Sequence, residues 1–389
     1  MNKGIPRSPW RLGAVLALGI AMSIAVWACS TDSPDTSTAP EIQKPSVVQY
    51  GFGNPDVARV MRVQDMATPD LMARSSVVGT ATGLNAAGEL AIKVYTEELI
   101  PSGKLPSSID GIPVEQVVTG KLVAFKGPPP MDGGGSGDDP QAPQTAPIKL
   151  GTSGGWRHDL ANGYCCGGTL GGLIQNGSGT KYVLSNWHVL YADIVDGGNG
   201  RTADPGDPVI QPGLIDVGCN AGGAIDVATL VAGGGSLPGA NVDAGIAAVI
   251  PGQVDESGEI LSIGVPSSST VAAFVGQAVK KMGRTTGLGR AAVDGLNASV
   301  SITYSNECAG GTAFTKTYSG QIVTTNNRCG FLAGGDSGSV MFEDVDNNPR
   351  AVGLLYAGSV TCNKFAVAIA NPIDEVLDHY GSNFHMVGN

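Results

Sequence analysis

The sequence predicts a mainly β protein whose large C-terminal part is a barrel or sandwich closed by one helix, with a small α+β unit in front of it. Three observations carry that prediction. From about residue 148 onward, short apolar runs such as "GGTLGGLI", "KYVLSNWHVL", "DVATLV", "NVDAGIAAVI", "SVSITY", "SGSVMF", "AVGLLYAG" and "KFAVAIA" are broken by Gly, Asn and Asp, the pattern of strands joined by turns. Glycine accounts for 58 of 389 residues, about twice its usual share of roughly 7%, which favours many tight turns over long helices. The end of the chain changes character: Asn371 and Pro372 open a helical stretch in which Ile373, Val376 and Leu377 recur at helix spacing to about His379.

The elements before residue 148 follow in order. Residues 1–28 hold Lys3, Arg7 and Arg11 ahead of the apolar run "LGAVLALGIAMSIAVWA", the order of a bacterial export signal. "VWAC" is similar to a lipoprotein cleavage site, which makes Cys29 a candidate for lipidation and a membrane anchor; Trp27, bulky where a small residue is usual, leaves a plain signal or an uncut anchor as the alternatives. In each case the remainder is exported, to the cell envelope or beyond it. Residues 29–45 are polar and proline-bearing, as a tether is.

A small α+β module is expected over 46–126. Asn54 and Pro55 supply a cap and a first-turn proline, and Val57, Val60, Met61 and Met66 are read as one apolar face. Leu90, Ile92 and Val94 alternate in strand fashion, and "VEQVVTGKLVAF" is a further extended run. Residues 127–147 are too rich in Pro, Gly and Asp to build a core and read as a linker; the barrel domain occupies 148–389. At this length two domains are the natural expectation.

The formal net charge is −11, and the basic leader makes the exported part more acidic still, which argues against nucleic acid as a partner. Besides Cys29 the cysteines are Cys165, Cys166, Cys219, Cys308, Cys329 and Cys362, an even set that allows up to three disulfides in an oxidising compartment. Cys308 with Cys329, flanking one candidate hairpin, is the pairing the spacing favours. Metal binding is the competing use of these thiols, but they are widely spaced and no histidine clusters with them. No metal or other cofactor is expected.

Of the four histidines, His158, His379 and His385 fall in loops, the closing helix or the tail, whereas His188 follows "YVL" where a strand gives way to a turn. A histidine in a barrel wall would look the same. Downstream, however, come aspartates and then Ser337 in "GGDSGSV". A serine hydroxyl attacks a carbonyl only with an adjacent base, and that base needs an acid to fix its tautomer. The small residues around Ser337 let the backbone turn sharply, so that the Gly335 and Ser337 amides can meet a developing oxyanion. The stretch is not a G-x-S-x-G elbow, because residue 339 is Ser.

The order His, Asp, Ser, with "SNWHVL", "NVDAGIA" and "GGDSGS", resembles the chymotrypsin-like serine peptidases, a double β-barrel fold with the site between the barrels. More narrowly, "VIQPG", "VDAGIA", "KKMGRTTGLG", "GLLYAGS" and "IANPI" resemble bacterial trypsin-like proteins related to the plant narrow-leaf peptidases, over roughly residues 148 to 380. "GTATGL" and "LPSSIDGIPVEQVVTG" are similar to the N-terminal module of some of those proteins.

The resemblance implies a serine endopeptidase acting on peptides or proteins, with His188 as base, Asp243 as orienting acid and Ser337 as nucleophile. Asp226 in "AIDVATL" competes with Asp243 for the acid's place. Phe331 is placed at the base of the primary substrate pocket and Gly358 on its wall, with no acid to select Lys or Arg. In trypsin-type zymogens the acid before the nucleophile, here Asp336, pairs with a newly freed N-terminus; no activation sequence precedes "PIKLGTSGGW", so Asp336 is expected to have another partner. Arg284 to Gly287 either approach substrate or form a hairpin turn in which Arg284 ties strands together. The alternative function is a catalytically silent peptidase-like domain that binds extracellular peptides.

Overall fold

The structure, a computed structural model, describes residues 49–124, 138–161, 164–191, 203–237, 239–304 and 314–389. The expected export signal, Cys29, the expected tether and most of the expected linker lie outside these residues. Val48–Asn389 form one compact unit.

Helix α1 (Pro55–Met72) begins where the cap residues indicate, with Asn54 Oδ1 accepting from the amides of Asp56 and Val57. Val57, Val60, Met61, Val63 and Leu71 are buried, whereas Met66, expected on the same face, is exposed. It stands nine residues after Val57, half a turn away at about 3.6 residues per turn. The helix packs on β1 (Val77–Leu84), which is antiparallel to β2 (Leu90–Thr96); β2 is in turn parallel to β3 (Ile112–Val118). The predicted run after residue 112 breaks at Gly120, whose φ is +74°, and resumes as the short β4 (Leu122–Ala124).

The next sheet contains β5 (Thr152–Trp156), β6 (Gly168–Leu170), β7 (Gly172–Gln175), β8 (Lys181–Ser185), β9 (Pro208–Gln211), β10 (Ile225–Gly235) and β11 (Gly245–Val249). A single helical turn, α2 (Trp187–Leu190), follows β8. The strand order is β6-β5-β9-β10-β11-β8-β7. A short strand at His385–Met386 extends the sheet beyond β7; β6 and β7 are consecutive through Gly171, so the sheet curls into a barrel.

The second barrel comprises β12 (Ala278–Gly283), β13 (Gly287–Tyr304), β14 (Phe314–Thr325), β15 (Val340–Glu343), β16 (Ala351–Ser359) and β17 (Val367–Pro372). Its order is β12-β15-β16-β17-β14-β13, and pairing of β13 with β12 closes it. The predicted closing helix is α3 (Ile373–Tyr380), which buries Ile373, Val376 and Leu377. The molecule is thus mainly β, two barrels and a C-terminal helix behind an α+β segment.

That segment is joined to the second barrel by hydrogen bonds between strands. β1 pairs antiparallel with β13, Gly83 opposite Gly295 and Gly79 opposite Val300. Lys93 Nζ lies 2.6 Å from Asp294 Oδ1, and Gln64 Nε2 donates to the Asn297 carbonyl at 2.8 Å. One sheet therefore runs from the α+β strands into the barrel.

Two disulfides are described, Cys165–Cys219 and Cys329–Cys362. The second replaces the expected Cys308–Cys329 pair. The β14 strand ends at Thr325, and Cys329 lies beyond it on a short turn, its Cα 5.1 Å from that of Cys362 in the β16–β17 loop. Cys308 lies outside the described residues.

Candidate active site

His188 sits on α2, directly after β8, and its segment is held by β11 across the sheet, Ser185 opposite Gly245. Asp243 precedes β11, so adjacent strands deliver both residues to one end of the first barrel. His188 Nδ1 is 2.7 Å from Asp243 Oδ2, and the His188 amide donates to Oδ1 at 3.3 Å. With a carboxylate as its partner, Nδ1 carries the proton, so the basic lone pair is on Nε2. Nε2 is buried and makes no hydrogen bond to any described residue.

Asp243 is fully buried, and its other contacts account for that burial. Tyr304 Oη donates to Oδ2 at 2.8 Å, and Tyr318 Oη shares a hydrogen bond with Tyr304 Oη. Burial, reinforced by the Asp243 charge, pushes the Tyr304 phenol well above its ordinary range, and the same causes raise Tyr318. Both phenols therefore remain donors. The Asp243 backbone is fixed as well: its amide donates to Asn371 Oδ1 at 3.1 Å, and Asn186 Nδ2 donates to its carbonyl at 2.7 Å. Asp226, the competing acid, instead meets Arg157 Nη1 at 2.5 Å, and its side chain is 43% exposed on β10. Of the two aspartates, the structure joins only Asp243 to His188.

Ser337 lies in the turn that leads into β15. Gly335 and Gly338 have φ of +94° and +95°, conformations readily open to glycine alone. The turn is docked onto the first barrel: the Thr169 amide donates to the Ser337 carbonyl at 2.9 Å, and Thr169 Oγ1 donates to the Gly335 carbonyl at 2.9 Å. A Cβ on Gly171, at the break between β6 and β7, would stand 1.7 Å from the Gly338 carbonyl oxygen. The same β6 backbone is held on its other side by Ser185 Oγ, which donates to the Thr169 carbonyl at 2.7 Å. In this way β6 links the Ser337 turn to β8, the strand that leads into α2 and His188. Ser337 Oγ donates to the Tyr356 carbonyl on β16 at 3.3 Å.

The partner of Asp336 is Lys281. The ammonium on β12 is 3.1 Å from Asp336 Oδ1, with both side chains fully buried. Oδ1 also accepts from the Thr285 and Thr286 amides, while Oδ2 accepts from Thr286 Oγ1 and the Ala333 amide. Burial pushes Lys281 below the ordinary lysine range, with Asp336 pulling the other way. Arg284 is fully buried and grips Asp216 through Nε and Nη2, at 2.7 and 2.5 Å. "RTTG" is therefore a hairpin turn whose amides cradle Asp336 and whose arginine ties the second barrel to the first.

Phe331 and Gly358 are the remaining residues singled out from sequence. Phe331 is fully buried in an apolar cluster with Val279, Leu332, Met341 and Leu355. Gly358 lies on β16, where a Cβ would meet Leu332 Cδ2 at 3.0 Å. Sequence reading did not find Tyr304, Asn371, Asn186 or Lys281. Asn371 in "IANPI" marks a helix start in the sequence, yet it turns its amide to Asp243 rather than to α3.

Two closed barrels, with a His–Asp pair carried by one and a glycine-bounded serine turn by the other, define the chymotrypsin-like serine peptidase fold. More particularly, residues 232–375 match the Nal1 C-terminal domain. A 110-residue stretch is 37% identical to Streptogrisin-A of Streptomyces griseus, covering 28% of this chain and 31% of that one. The chain thus spans about a third of the length of the curated relative it matches. Among solved structures, a glutamic acid-specific serine protease is similar at 21% identity, over 61% of this chain and all of that one, with a TM-score of 0.41. Cellulomonas bogoriensis chymotrypsin is similar at 20% identity over 62% of this chain and 99% of that one, with a TM-score of 0.38.

Proposed function

We propose that the protein is a serine endopeptidase that cleaves peptide bonds through an acyl-enzyme on Ser337. The observation that carries this reading is the buried His188–Asp243 hydrogen bond, which leaves Nε2 as the basic nitrogen on a segment that β6 links to the Ser337 turn. In this reading His188 Nε2 takes the Ser337 proton as Oγ attacks the carbonyl carbon, and Asp243 stabilises the imidazolium. The Gly335 and Ser337 amides hold the oxyanion. The imidazolium then returns the proton to the leaving amine, and water repeats the sequence to free the acid.

Phe331 and Gly358 belong to the proposed substrate side of the second barrel, with Phe331 acting from beneath the surface. Export, with Cys29 as a lipid anchor, goes with the reading and is supported by disulfides in the exported part. The test is turnover of a mixed peptide library by the wild type, Ser337→Ala and His188→Ala. Cleavage by the wild type alone is expected; equal cleavage by Ser337→Ala refutes the assignment. Binding of peptides by all three without cleavage would favour a silent, peptide-binding domain.

A further inference from the structure

The short strand β4 occupies the edge along which an extended peptide would have to lie to reach Ser337. β16 pairs with β15 from Ala351 to Leu354 and with β17 from Gly353 to Gly358. Beyond the end of β15 the edge on that side would be open. It is filled by β4, with Val123 opposite Gly358 and Leu122 opposite Ser359, antiparallel. Since Ala368 of β17 takes the other side of Gly358, β4 must lie on the side from which the Ser337 turn enters β15.

The hydrogen-bonding pattern fixes what a competitor would meet. The Val360 amide donates to the Lys121 carbonyl at 3.1 Å. Antiparallel pairs alternate between bonded and non-bonded, so Val123 opposite Gly358 is again a bonded pair. Two residues back along the same edge is Tyr356, whose carbonyl accepts from Ser337 Oγ. β4 thus runs towards Ser337 in the sense that the acyl side of a peptide would take.

Its other edge pairs in parallel with β13, Thr303 opposite Val123 and Tyr304 opposite Ala124, which places it beside the phenol that binds Asp243. Leu122 and Ala124 are buried in the cluster that contains Tyr304, Tyr318 and Tyr356. His188 and Ser337 are only 4% and 2% exposed.

We infer that β4 is a built-in competitor for extended peptide backbone: it must leave the β16 edge before a peptide can bind there by strand addition. The inference rests on the proposed peptidase reading for its kinetic consequence and on the strand pairing alone for its binding consequence. The strand is tethered through Gly120 to β3, and β1 is itself paired with β13. A short tether presents its segment at roughly millimolar effective concentration, so free peptides compete at a disadvantage. Small acyl donors that need no backbone pairing do not.

The test uses the full chain and Val123→Pro, which removes the Val123 N–H from the bonded pair. A tetrapeptide amide should gain tenfold or more in kcat/KM, mostly through KM, while a blocked single-residue ester changes by less than twofold. Ester turnover with no peptide gain in a folded variant overturns the inference and leaves the peptidase standing. A second measurement needs neither turnover nor the proline variant: hydrogen exchange of Ser337→Ala with saturating tetrapeptide. Loss of protection at residues 121–124 supports strand displacement, even in a protein that cleaves nothing. Unchanged protection overturns it.

Discussion

Replacing Asp336 by Asn keeps the shape of the side chain while removing the charge opposite Lys281. At the observed 3.1 Å, two unit charges interact by about 5 kcal/mol at an effective dielectric near 20. Neither side chain reaches solvent, so screening by water does not reduce this. The new amide NH₂ must also face donors: either the Thr285 and Thr286 amides and the ammonium, or the Ala333 amide and Thr286 Oγ1. That orphans at least one buried N–H, at about 1–3 kcal/mol.

Part of the loss is returned because Lys281, already pushed down by burial, can give up its proton. A net destabilisation of about 3–5 kcal/mol is expected near neutral pH, as when one member of a buried pair is removed. The sign of the pH dependence follows. A lysine whose folded pKa lies below its unfolded value of about 10.4 penalises folding fully at pH below the folded pKa. As pH rises, the unfolded chain holds the proton longer, so the stability of Asp336→Asn climbs towards that of the wild type. Guanidinium unfolding at intervals from pH 6 to 10 measures this. Adding Lys281→Met should recover most of the loss, since neither charge remains. A single variant within about 1 kcal/mol of the wild type at neutral pH, or a double variant no better than the single, would refute the argument.

Three further outcomes follow from the site. Asp243→Asn should lower kcat by about 10⁴-fold, the size of loss when a triad acid can no longer hold the histidine tautomer, whereas Asp226→Asn, removing only a partly exposed partner of Arg157, should leave kcat/KM within about twofold; steady-state kinetics on one peptide decide between them. Tyr304→Phe removes a donor from a buried carboxylate and should cost about 1.5–3 kcal/mol of stability and lower kcat with little change in KM, read from denaturation and a kcat against KM comparison. Replacing Cys329 and Cys362 by Ala opens a link across 33 residues and should cost about 3–4 kcal/mol by loop-closure entropy, measured by thermal unfolding.

Much of this architecture was legible because its cause is local. Alternating apolar runs and turn residues give the strands, Asn54–Pro55 gives the helix start, and apolar spacing gives the closing helix. His188, Asp243 and Ser337 stood out through the resemblance of their surroundings to a known family. What sequence did not give depends on contacts between distant strands. Tyr304 reaches Asp243 from 61 residues away and Asn371 from 128, and neither carries a local pattern that separates it from an ordinary strand or cap residue. Lys281, second of two adjacent lysines in "AVKKMG", reads as one more polar strand residue until the barrel closes over it. The disulfide prediction failed for the same reason: the turn beyond β14 carries Cys329 to the β16–β17 loop. The pairing of β1 with β13 was hidden too, because a sheet edge in sequence gives no sign of what covers it.

The most direct test of the central claim is reaction of the folded protein with a fluorophosphonate, followed by mass mapping of the adduct. The account predicts a single adduct on Ser337, formed stoichiometrically in the wild type and absent in His188→Ala. Failure of the folded wild type to react, or an adduct on Ser337 that forms equally fast without His188, would contradict it.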